Sequence, residues 1–322
     1  MSSPAILLIE ACDGLGAHEA DAALRMLAMR RAGVTARLLA LEPADGESLA
    51  DAARAAFARS GAGPRSEVWI ASGDAAFRAI ERALPPETSC RWWPTLVPGC
   101  GGEPGGDVPD RGRDAVLALG PCAALDLAPV RSSRDRTAVA IWDGEFVLAP
   151  GPLRGAEGER LLRAFATAAE ERPALELVVL CDPDTALMDV ARRLGVGWRV
   201  HCAGISPREA EHTWIATAAA LLLPGSPRVA AGLVLRVLAA GTPIIVDAAA
   251  PETRALVDWL GTHGVSHEQP VAAALEAALE NAPRVRIARE DGRALAARHE
   301  PDALAPRLAA AFGRNLRGRE AA

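Results

Sequence analysis

The chain has 322 residues, half of them hydrophobic, which is enough to bury two cores of the usual domain size, about 150 residues each. Its formal charge of −6 excludes nucleic acid as the main partner, because a phosphate backbone needs a basic surface. All 35 basic residues are arginine, tyrosine is absent, and no apolar run reaches the length of a membrane span.

Taken in chain order, Ala5 to Glu10 reads as a buried strand, followed by the loop Asp13-Gly14-Leu15-Gly16. A helix is predicted from about Ala20 to Arg31, with Leu24, Leu27 and Ala28 on one face and Gly33 as its stop. Val34 to Leu41 gives the second strand of a βαβ unit, and Glu67 to Ala71 a third, with a helix after it from Ala75 to Leu84. The Pro- and Gly-rich stretch from Pro85 to Gly112 reads as loop around one short strand, with Trp92 and Trp93 embedded in it. Ala115 to Leu119 is a further apolar strand, and the polar run Arg131 to Arg136 is the best linker candidate.

From Glu145 the alternation restarts. Strands are predicted at Phe146–Ala149, Leu175–Cys181, Arg199–Ala203, Ala219–Leu223 and Pro243–Val246. Between them lie helices at Glu157–Arg172, Ala186–Leu194, Arg208–Thr217 and Gly232–Ala240, the last ended by a left-handed Gly241 and by Pro243. Near the end, Leu304, Leu308 and Phe312 mark an amphipathic helix over Pro301 to Phe312. Two such runs predict an α/β protein of two doubly wound, Rossmann-like domains, with ligands at the carboxyl ends of the strands. The expected division is residues 1–136, residues 137–300, and residues 301–322 as a helix returning to the first domain and a polar tail.

The stretch from Pro224-Gly225-Ser226-Pro227-Arg228 through Gly232-Leu233-Val234-Leu235-Arg236 to Ala239-Ala240-Gly241-Thr242-Pro243 resembles a known donor-site segment. It belongs to GT-B glycosyltransferases of the glycogen-synthase-like retaining class (glycosyl transferases group 1). Gly14 to Gly33 is similar to that family's glycine loop and first helix, and Trp142 to Leu153 to the start of its second domain. The resemblance implies two Rossmann-like domains facing each other across a cleft, with acceptor bound by the first and nucleotide-sugar donor by the second. It also implies transfer of a sugar from that donor to an acceptor, with the nucleotide sugar as co-substrate and no cofactor or metal.

The motif itself is degenerate. Both of the family's glutamates fall on arginines, Arg228 and Arg236, and Pro152 stands where an arginine grips the pyrophosphate. The chain has no lysine to complete that grip, although Arg154 can offer a bidentate fork to phosphate oxygens. Arginine has donors and no acceptor, so Arg236 cannot accept from ribose hydroxyls as the family's second glutamate does. Two readings of Arg228 and Arg236 stay open: an anion site near a helix N-terminus, or solvated arginines left after the site lost its function. Gly14, Gly16, Gly225, Ser226 and Gly232 can present backbone amides or a hydroxyl to a phosphate, and glycine equally suits any tight turn.

The functional readings are accordingly an active glycosyltransferase or an inactive GT-B homologue acting as scaffold or partner subunit. A sugar-nucleotide epimerase of the same fold stands third. No Ser-His-Asp order, P-loop or metal motif stands out. His18 reads as a first-turn surface residue, His201 and His212 as satisfied core or edge histidines, His263 and His267 as loop residues with a metal pair as the lesser alternative, and Asp182 as a helix cap. Trp92 and Trp93 read either as an acceptor platform or as loop packing. The six cysteines show no Cys-x-x-Cys spacing, which with no export signal predicts reduced thiols and a cytoplasmic protein. Peripheral membrane contact and oligomeric state stay open.

Overall fold

The computed structural model describes residues 6–11, 26–34, 36–41, 47–60, 68–72, 82, 90–93, 145–151, 153, 155–181, 185–204, 208–223, 231–246, 260 and 271–320. They form two wholly parallel sheets. The first runs in the order β2-β1-β3-β4, from β1 (Ile6–Ala11), β2 (Ala36–Leu41), β3 (Val68–Ser72) and β4 (Cys90–Trp93). Trp92 and Trp93 are therefore strand residues, in the outermost described strand of that sheet, paired with Ala71 and Ser72. The helix before β2 is described at residues 26–31, and its buried side is Met26, Ala28 and Met29. Leu27 is 40% exposed, so the predicted face is rotated. Leu24, the predicted strand at Ala115–Leu119 and the linker Arg131–Arg136 lie outside the described residues. So does the predicted helix Ala75–Leu84, apart from a helical Arg82.

One helix went unpredicted here: α1 (Leu49–Ser60), between β2 and β3. Ser48 caps it, its Oγ accepting from the Asp51 N–H at 3.2 Å and donating to Asp51 Oδ2 at 2.6 Å. The Asp51 carboxylate also accepts from the Ser48 backbone N–H, the reciprocal bond of a capping box with Asp in the glutamate position.

The second sheet runs β7-β6-β5-β8-β9, from β5 (Phe146–Pro150), β6 (Glu176–Leu180), β7 (Val200–Cys202), β8 (Ala220–Leu223) and β9 (Ile244–Val246). Each strand matches its predicted place to within two residues or fewer. Helices cover both faces, which is why the strands are continuous apolar runs instead of alternating ones. On one face α2 (Gly155–Glu171), α3 (Thr185–Arg193) and α6 (Val271–Leu279) bury Val147, Leu177, Val179 and Leu222 with Phe165 and Leu275. On the other α4 (Arg208–Thr217), α5 (Ala231–Ala240) and α7 (Pro283–Ala297) cover Phe146, Leu148, Val178 and Leu221. There Phe146 and Trp214 meet edge to face at 5.6 Å between ring centroids.

Gly241 closes α5 at φ +74°, with its N–H bonded to the Leu238 carbonyl at 2.9 Å and that of Thr242 to the Val237 carbonyl at 3.1 Å. This is the Schellman geometry that the sequence predicts at that position. The last helix, α8 (Pro301–Glu320), extends past the predicted Phe312 and buries Leu304 and Leu308 completely. Its Asp302 pairs with Arg31 of the first half at 3.4 Å, which places its start beside the helical segment 26–31.

Candidate functional site

In an open parallel sheet a ligand lies beyond the carboxyl ends of the strands, where the strand order reverses. In the second sheet that reversal falls between β5 and β8, because the chain builds outward from β5 to β6 and β7 and then returns to β8 on its other side. Arg154 follows β5, and Gly225, Ser226 and Arg228 follow β8. In the first sheet the reversal falls between β1 and β3, and Gly14 and Gly16 follow β1. All six of these predicted site residues lie outside the described residues; in sequence they follow the strands that flank the two reversals.

The chain just beyond β5 is described, and it is tightly enclosed. A Cβ on Gly151 would overlap that of Cys181 outright, and would stand 2.9 Å from Cys181 Sγ and from the Leu180 carbonyl oxygen. A Cβ on Gly158, in the first turn of α2, would stand 2.9 Å from the Leu153 carbonyl carbon and 3.0 Å from its oxygen. Gly155, the first residue of α2, adopts φ +58°, which a side chain would strain. The end of β6 is tied onward, with Gly204 N–H donating to the Cys181 carbonyl at 2.9 Å. A cleft of about 620 Å³ opens beside this loop between α2 and α3, floored by Leu153, Leu162 and Val190 and edged by Glu159, Asp189 and Arg193. Sequence reasoning missed Gly151 and Gly158; their signal is the spacing Gly151-x-x-x-Gly155-x-x-Gly158 at a strand-to-helix turn.

Gly232 and Arg236 are described, both on α5 and both buried. Arg236 is 4% exposed, on a helix whose Leu233, Val234, Leu235, Val237 and Leu238 are buried as well, and the residue has an interaction partner within the protein. The expectation of a solvated arginine is corrected. α5 is enclosed by the sheet, α4 and α7, so a side chain here meets protein whichever way it leaves the helix. The approach of α7 is close, with Gly292 directly against Leu238.

The amino ends of the same strands are closed by charge. His201 Nε2 lies 2.8 Å from Glu176 Oε2 across β6 and β7, and Arg172 Nη1 lies 3.4 Å from Glu145 Oε2. Arg199 donates to the Ala169 carbonyl at 2.5 Å and stacks 4.4 Å from the ring centroid of Trp198, which is 66% exposed. His201 is thus an edge-strand residue with an acidic partner, as predicted. Cys181 and Cys202 are free thiols. Cys12, Cys100, Cys122, His18, Asp182, His263 and His267 lie outside the described residues, as do the side chains of Cys90 and His212. Among the described residues no cluster of His, Cys, Asp and Glu could hold a metal, and no helix is long and apolar enough to cross a membrane.

No protein-family model matches the chain, and neither does the sequence of any curated protein. Solved structures do match over nearly its whole length. Sucrose-phosphate synthase from Thermosynechococcus elongatus superposes with a TM-score of 0.65 at 14% identity, covering 98% of this chain and 99% of that one. Alr3699/HepE of Anabaena, in complex with UDP and glucose, gives 0.64 at 12% identity over 96% and 99%. A Listeria monocytogenes protein provisionally assigned as a UDP-N-acetylglucosamine 2-epimerase gives 0.60 at 14% identity over 98% of each chain. The chain therefore has the GT-B fold, an α/β architecture of two Rossmann-like domains facing each other across a cleft.

Proposed function

We propose that the chain is a glycosyltransferase that takes a sugar nucleotide as donor and transfers its sugar to an acceptor. Residues 137–300 form the donor domain, residues 1–136 the acceptor domain, and residues 301–322 the returning helix and tail. The donor diphosphate sits between the loops after β5 and β8. Arg154 and Arg228 neutralise it, with amides of Gly225, Gly232 and the first turn of α5 and the hydroxyl of Ser226. Gly14 and Gly16 close the site from the first domain. Charge that develops on the leaving diphosphate is stabilised by these fixed dipoles and guanidinium groups, so the chemistry needs no metal. The observation that carries this reading is topological: the strands on either side of the reversal in the second sheet are those followed by Arg154 and Arg228. Incubation with UDP-, GDP- and ADP-sugars, alone and with simple glycoside acceptors, tests it through release of the nucleoside diphosphate. Release above the protein-free rate, lost in Arg154→Ala, is the expected result.

A second reading, an inactive GT-B homologue kept as a scaffold or partner subunit, is favoured by Arg236. It lies buried at the position where the resemblance places a ribose-binding glutamate, so neither the acceptor nor its access to solvent is kept. A chain that releases no diphosphate from any sugar nucleotide, yet keeps its fold, follows this second reading.

A further inference from the structure

We propose that Arg289 and Arg293 of α7 form an anion site at the amino end of the second sheet, where their two guanidinium forks take one phosphate group. The site is independent of the donor-site reading, since Gly241 lies just before β9, on the edge away from the cleft, and Arg293 stands against it. A Cβ at position 241 would overlap the Arg293 guanidinium, so the bare glycine admits it, and Arg293 Nη2 donates to the Ala240 carbonyl at 3.4 Å. The carbonyl end of α5 is the negative pole of that helix, which anchors Arg293. Arg289 has no such anchor. It lies one turn earlier on α7, with its Nε buried and without a hydrogen-bond partner. Among the described residues no carboxylate pairs with it, whereas Arg31, Arg163 and Arg172 each reach one. Glu290 and Asp291 follow it directly, a spacing that points them to other faces of the helix. Burial first, and then the Arg293 charge beside it, lower the Arg289 pKa from the ordinary arginine value. A desolvated guanidinium with an unused donor and a like-charged neighbour is costly, and an anion held between the two offsets both penalties. A phosphate group brings three acceptor oxygens, enough for both forks at once. Arg286, exposed and three residues before Arg289 on the same stripe, adds to the positive field.

Calorimetry with inorganic phosphate, and thermal unfolding with and without it at constant ionic strength, compare the wild type with Arg289→Met and Arg293→Met. Arg289→Met should weaken phosphate about tenfold or more, the loss expected when a charge-assisted hydrogen bond goes. Arg289→Lys keeps the charge without the fork and should fall between the two. Without phosphate, Arg289→Met should melt no lower than the wild type, because it removes an unpaired charge; with phosphate the wild type should melt higher. Phosphate bound in the cleft acts on every one of these chains alike, so the difference between them reports this site whether or not the donor-site reading holds. Arg293→Met removes the other fork and covers a failure of Arg289→Met to fold. Sedimentation with phosphatidylcholine vesicles, with and without phosphatidic acid, separates the two sources of such a group. Phosphate binding that depends on Arg289 assigns the site to a soluble phosphorylated ligand, and vesicle binding alone that depends on it assigns the site to a lipid headgroup. Equal responses to phosphate and to vesicles in the wild type and both methionine variants overturn the proposal.

Discussion

The two ends of the second sheet are built from different materials. At the amino ends, side chains meet side chains: Glu176 with His201, Glu145 with Arg172, and Arg199 over Trp198. At the carboxyl ends the described contacts are made by backbone, with Gly151 against Cys181, Gly158 against Leu153, and Gly204 on the Cys181 carbonyl. Glycine at positions 151 and 158 lets the chain pass where any side chain would clash. The asymmetry can be broken at either edge.

The largest expected effect comes from neither edge but from the core between them. Arg236→Glu reverses a charge that is 4% exposed and already engaged, and it should cost about 3–5 kcal/mol, the range seen when a buried charge loses its partner. Urea unfolding measures it, and Arg236→Met, which removes the charge without reversing it, should cost less. Next comes the core beneath both edges, where Phe165→Ala should cost about 3–5 kcal/mol in the same measurement through the cavity it leaves.

At the amino edge, Arg172→Ala removes a partly exposed pair and should cost under about 1 kcal/mol. It should leave diphosphate affinity unchanged, and a change there would show that the two ends of the sheet are not independent. A comparably small effect lies beside the first sheet, between β2 and β3. Ser48→Ala removes the cap of α1 and should cost about 1 kcal/mol. It also carries a sign in pH. The Ser48 hydroxyl, then the Arg54 guanidinium, hold the Asp51 carboxyl below its ordinary value. A depressed folded value means that this cap contributes fully above the unfolded carboxyl range and is lost as pH falls through the folded one. The difference between wild type and Ser48→Ala should therefore shrink in acid, as thermal unfolding at several pH values would show.

The second sheet was legible in the sequence because its strands, buried on both faces, are unbroken runs such as Phe146–Ala149 and Ala220–Leu223, each set off by a helix with its own stop signal. The helices α6 and α7 were not foreseen. Val271–Leu279 is five alanines with little polar contrast, and Pro283–Ala297 is rich in arginine, so neither displays the apolar stripe that marks a helix. Of the site, the topology was readable and the packing was not. Nothing in the residue order announces that Gly151 and Cys181 touch, since their contact depends on the register of β5 and β6. Arg236 misled for the opposite reason: a charged residue on a helix is ordinarily solvated, and only the enclosure of α5 on all sides buries it.

The central claim, a carboxyl edge that recognises a diphosphate by backbone and arginine, is tested most directly by calorimetry with pyrophosphate, UDP, GDP and ADP at low and high salt. Pyrophosphate should bind nearly as well as the nucleotides, because no carboxylate at position 236 accepts the ribose hydroxyls, and every affinity should fall with salt. Arg154→Ala and Arg228→Ala should each weaken all four ligands together. Tight binding of one nucleotide with a strong demand for its base and ribose would contradict the account, as would binding of none of them.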